Sequence, residues 1–254
     1  MKNLAIRHPY VFSVLVILVP VVGMKLGLVG LQTYFSELGV RLIVAALFCG
    51  YVTTLVKMLG WWKEIGFAKP RSWRAVVAYA PWLLLPLLMV MSGGVRGASP
   101  RRIVAFAAFT LMVGFAEEIL LRGVSLRAML PRGVMRAVVL SSLFFGLGHL
   151  FNIVQGRDPQ SAIVQAIYAT LIGIGFAGTR LYSGTIIPAI LLHALIDFAD
   201  QATRGFVLAQ PTSVGLRQAG VLIAITGLYA LYGWWLTGRS KPNQSAEPTP
   251  GAVH

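Results

Sequence analysis

The sequence predicts an all-α, polytopic transmembrane helix bundle of about eight spans, with a polar cavity inside the membrane. Two compositional facts and one pattern predict it. Of 254 residues, 57% are hydrophobic and only 12% are charged, against about 45–50% and about 25% in soluble domains. That leaves too little polar surface to cover a water-facing globule. The pattern is a succession of apolar runs near the roughly 20 residues a spanning helix needs.

The runs fall at about 9–30, 40–60, 75–92, 103–121, 136–155, 161–180, 184–198 and 218–237. The first follows Lys2 and Arg7 but is too long for a signal-peptide core and has no small-residue cleavage site after it, so it reads as a retained helix. The sixth carries Ala166, Thr170, Gly173 and Ala177 on one face, which lets a neighbouring backbone approach. The seventh is short, with Pro188 near its start, where proline costs a helix least. Residues 1–238 read as one membrane domain. Residues 239–254, rich in Ser, Pro and Thr without apolar periodicity, read as a disordered tail.

The net charge of +14 does not make this a nucleic-acid binder, because the basic residues punctuate apolar runs instead of clustering with aromatics. In a membrane chain they report orientation and contact with anionic lipid. With the N-terminus inside, 14 Lys and Arg fall in inside loops and seven in outside loops, Lys25 lying within the first run. Both termini are therefore expected in the cytoplasm, with the chain a multi-pass protein of a bacterial inner membrane. Cys49 stands alone in an apolar run and reads as a packing residue.

Function is sought where polarity is expensive. Glu117, Glu118 and Asp197 interrupt apolar runs, as do His149 and His193. Three carboxylates facing lipid unpaired would cost roughly 9 kcal/mol, so they must face a protein interior or a wet cavity. Glu118 and Arg122, four apart, can pair on one helical face. Glu117 is turned about 100° away and lacks that arginine as its main partner, which suits a base drawing a proton from water. Phe145 and His149 share a face, with Asn152 near it. His193 and Asp197 share another, where a carboxylate can hold an imidazole's tautomer and orientation. Three runs thus supply one acid–base cluster each.

The order Glu117-Glu118-x-x-x-Arg122, Phe145-x-x-x-His149, His193-x-x-x-Asp197 resembles the CPBP intramembrane protease family. That family includes the type II CAAX prenyl endopeptidases and the bacterial Abi proteins. Ile65-Gly66-Phe67 with Pro70, and Leu181 to Pro188, resemble its flanking segments, so the likeness covers about residues 60–200. The resemblance implies an intramembrane endopeptidase. Glu117 with His149 would activate water, while His193 and residue 197 would stabilise the oxyanion or orient its donors. Glu118, Arg122, Phe145 and Asn152 would support them. CAAX enzymes carry Asn where this chain has Asp197, and an ionised Asp cannot donate to an oxyanion.

The family's metalloprotease label leaves two expectations open: a divalent metal such as zinc, with Glu117, His149, His193 and Asp197 as possible ligands, or no cofactor. His-Glu-x-x-His is absent. The expected partners are a peptide or membrane-protein substrate and membrane lipid, without nucleic acid. The alternative function is a non-enzymatic immunity or scaffold protein, or a proton-coupled carrier, built around the same polar cluster. No Gly-x-Ser-x-Gly or Gly-x-Gly-Asp supports a serine or aspartate intramembrane protease.

Overall fold

The computed structural model describes residues 1–207 and 213–240, without the side chains of 24–29 and 155. Of the tail expected at 239–254, residues 241–254 lie outside the described residues. The rest is helical, with no strand among the described residues.

After the short α1 (Lys2–Arg7), each of the eight apolar runs forms a helical segment. They are α2 (Pro9–Leu31), α3 (Glu37–Leu59), a broken rod from α4 (Trp73–Val77) through a 3₁₀ turn to α5 (Leu84–Gly93), α6 (Pro100–Glu118), α8 (Val134–Gly148), α9 (Pro159–Ser183), α10 (Ile187–Arg204) and α11 (Leu216–Arg239). α6 runs on through a π-helical turn at Ile119–Ser125 into α7 (Leu126–Met129). α9 shows how its ends are set. Asp158 accepts a hydrogen bond from the Ser161 N–H at 2.8 Å to open α9, and Gly184 closes it in the left-handed region.

The span count differs from the eight expected. Among the described residues, six helices are long and apolar enough to cross a membrane. The described side chains of α2 make only a shorter apolar helix, Pro9–Gly23. α10 concentrates Asp197, Asp200 and Arg204 within its 18 residues, too much charge for lipid on all sides. It packs instead against α5 and α6.

Loops alternate between two ends of the bundle. At one end the Arg132 guanidinium donates to the Arg7 carbonyl, the Ile186 N–H to the Gly66 carbonyl and the Arg71 N–H to the Ser183 carbonyl. At the other, the Arg96 N–H donates to the Ala202 carbonyl, Arg102 Nε to the Phe206 carbonyl and the Val214 N–H to Ser161 Oγ. This is the down-and-up order that alternating spans require.

Small residues set the helix spacing. A Cβ on Gly146 would strike the Thr170 hydroxyl and the Ala166 carbonyl, and one on Gly173 would lie 2.8 Å from Ser142 Cβ. The small-residue face of the sixth run is therefore the α8–α9 seam. A second seam was not apparent in the spacing: a Cβ on Gly178 would collide with the Gly233 carbonyl, which locks α9 to α11. Beside it Trp82 stacks on Tyr229 at 4.4 Å and packs against Phe176 at 4.2 Å.

Candidate active site

The site begins with a glycine. A Cβ on Gly114 of α6 would lie 2.9 Å from the Ile190 carbonyl oxygen and 3.4 Å from His193 Cβ of α10. Without one, the two helices come close enough for side chains one turn further on to meet. His193 Nδ1–H donates to Glu118 Oε1 at 2.8 Å. The same Glu118 oxygen lies 3.0 Å from Arg122 Nη1, an ion pair without hydrogen-bond alignment. The guanidinium carbon sits 4.0 Å from the centre of the Phe145 ring, a cation–π contact that compensates part of its desolvation.

Beyond Glu118 the chain enters the π-helical turn that carries Arg122. Such turns occur mostly as short interruptions of α-helices, frequently at functional sites. Every residue from Ile119 to Ser125 is buried.

The other nitrogen of His193 faces the opposite way. Nε2 lies 3.7 Å from Glu117 Oε2 and 3.6 Å from Asp197 Oδ2. The side chains of Glu118 and Arg122 are 0% exposed, whereas His193 is 11%, Glu117 25% and Asp197 40% exposed. The imidazole thus separates a dry side from an open one.

His149 ends α8, where the winding tightens to a 3₁₀ helix over His149–Gln155. Its Nδ1–H donates to the Phe145 carbonyl at 2.9 Å, so Nε2 carries the lone pair of the neutral ring. His149 makes no ion pair among the described residues, yet it lies within electrostatic reach of His193 and Asp197. Both imidazoles pack edge-on against Phe145, at 4.8 Å and 6.0 Å between ring centres.

Glu117, Glu118, Arg122, Phe145, His149, His193 and Asp197 are therefore brought together. Asn152 is not: its amide donates to Gln165 Oε1 at 2.9 Å, and Arg157 bonds the same oxygen. Two participants went unnoticed in the sequence. Phe176 lies 6.5 Å from His193 and 6.0 Å from Arg122, closing the dry side. Gly114 sets the α6–α10 distance. The available signals were a large aromatic among the small residues of α9 and a glycine one turn before two glutamates.

Of the donors expected to hold a metal, His149 and His193 each have Nδ1 engaged, by the Phe145 carbonyl and by Glu118, so only their Nε2 atoms could ligate. No three His, Cys, Asp or Glu side chains among the described residues are arranged to hold one.

Residues 99–199 match the family model described as type II CAAX prenyl endopeptidase Rce1-like. That stretch is similar to the Rce1-like endopeptidases. It begins just before α6 and ends within α10, so it contains every member of the three motifs. Comparison with curated proteins and with solved structures gave no match. With its apolar helices, the Rce1-like stretch makes the chain an integral, multi-pass membrane protein with a peptidase's family resemblance.

Proposed function

We propose that the chain is an intramembrane endopeptidase, CAAX-protease-like, that hydrolyses a peptide bond with water activated by Glu117 and His149. The observation that carries this reading is the 3.7 Å approach of Glu117 to His193 Nε2, on the open side of an imidazole whose other nitrogen is occupied. It lies within the stretch that matches the CAAX endopeptidase family model.

In this mechanism Glu117 accepts a proton from water, with the His149 Nε2 lone pair as the second acceptor orienting it. The water oxygen attacks the carbonyl carbon of the substrate. His193, oriented through Nδ1 by Glu118, turns Nε2 toward the charge that develops on the carbonyl oxygen. As the C–N bond breaks, the proton held by Glu117 passes to the leaving amine. Asp197, 3.6 Å from His193 Nε2, supports a protonated imidazole and does not itself donate. In this mechanism Glu117 and the His149 Nε2 lone pair activate the water without a metal.

The substrate is a peptide or a membrane-protein segment reaching the site from the aqueous face or from lipid. Mass-spectrometric comparison of membrane peptides between wild type and Glu117→Gln tests the reading and locates the cleavage. A set of peptides whose new termini vanish in the variant is expected. Identical peptide sets would leave the scaffold or carrier alternative standing. Cleavage is also expected to survive dialysis against a chelator; loss that zinc restores would overturn the metal-free mechanism.

A further inference from the structure

Away from the peptidase site, a cavity of about 230 Å³ opens where α1 meets α2, lined by Arg7, His8, Pro9, Tyr10, Val11 and Arg132. Its two cations come from chain segments 125 residues apart. Arg132 Nη2 donates to the Arg7 carbonyl at 3.1 Å, which anchors that guanidinium at the wall while leaving its remaining N–H groups available. No carboxylate lines the cavity, and neither arginine makes an ion pair among the described residues. Arg7 and Arg132 line one opening with no anion at its wall. The site is thus complementary to a phosphate, which arginine's planar fork recognises well.

The surroundings indicate which kind of phosphate. The cavity lies at the end of the bundle that carries most of the loop Lys and Arg; the Phe12 ring just below it packs on Trp61 of that end. From the cavity, α2 descends with Phe12, Ser13, Val16 and Pro20 buried, while Val11, Val14, Leu15, Leu18, Val19 and Val22 form an exposed apolar face. A cationic head pocket above an aliphatic strip matches an amphiphile, not a free anion. We propose that this cavity holds the phosphate of an anionic phospholipid whose acyl chains lie along the exposed face of α2.

The test uses the full chain in detergent, with lipid adducts read by native mass spectrometry. The added compounds are phosphatidylglycerol, phosphatidylcholine and inorganic phosphate. Phosphatidylglycerol is expected to bind, and the double variant Arg7→Gln/Arg132→Gln to weaken it about tenfold or more. Arg74→Gln, an exposed arginine of the same end, is expected to leave it unchanged. Arg7→Gln alone keeps the carbonyl that anchors Arg132 and must also weaken binding, so a poorly folding double variant does not decide the matter. Three results would overturn the proposal: undiminished binding in the cavity variants, equal loss in Arg74→Gln, or displacement of the lipid by inorganic phosphate.

Discussion

The two sides of His193 differ in almost every physical respect, although two adjacent glutamates define them. On the dry side Glu118, Arg122, Phe145 and Phe176 enclose Nδ1, with the ion pair out of solvent's reach. On the open side Glu117 and Asp197 approach Nε2 at longer distances and remain partly exposed. Breaking a buried ion pair is expensive because it strands a charge, whereas a group that must exchange protons with water cannot be sealed. One peptide step along α6 therefore separates a sealed carboxylate from one open to water.

That contrast can be broken from either side. Glu117→Gln is expected to lower peptide cleavage about 100- to 10,000-fold, the usual range for a lost general base, with the melting transition in detergent unmoved. A variant that cleaves normally would strip the open side of its role. Glu118→Gln should do the reverse in stability. It leaves Arg122 buried without a counter-charge, at a cost of about 3–5 kcal/mol, visible as a lower unfolding midpoint. Adding Arg122→Met is expected to recover most of the stability but not the activity, because His193 still lacks its orienting carboxylate.

Two glycine substitutions sharpen the same comparison. Gly114→Ala and Gly178→Ala each overpack a helix crossing, typically costing about 1–3 kcal/mol. Gly114→Ala pushes α6 from α10 and lengthens the 2.8 Å contact between Glu118 and His193, so cleavage should fall more than the stability loss explains. Gly178→Ala strains only the seam with α11, and its loss of cleavage should follow the unfolded fraction. Comparing turnover with thermal unfolding for both checks this. The smallest effect is expected from Asp197→Asn: about tenfold or less in turnover, because the 3.6 Å contact lies beyond hydrogen-bonding distance and Glu118 already orients the ring. A larger loss would make Asp197 a reacting group.

The candidate site was legible in the sequence wherever the contact is local. Glu118 with Arg122 and His193 with Asp197 are four-residue pairs, and helical period alone puts them on shared faces. The hydrogen bond from His193 to Glu118 spans 75 residues, a separation over which no periodicity carries information. Asn152 shows the opposite failure. Helical spacing sets it near the face of His149, and the 3₁₀ winding there keeps residues three apart on one side, yet its amide is taken by Gln165 of the neighbouring α9.

By itself the sequence determined that this is a membrane chain of eight apolar runs, and which side chains are too polar to face lipid. Composition and spacing suffice for that, since solvation free energy is a property of each residue and its near neighbours. Tertiary structure alone decided which of those helices is too charged for lipid on all sides, which glutamate is sealed and which open, and that Gly114 lets α6 and α10 touch. Those are outcomes of how closely two rods pack, and packing distance is set jointly by residues that the chain order keeps far apart.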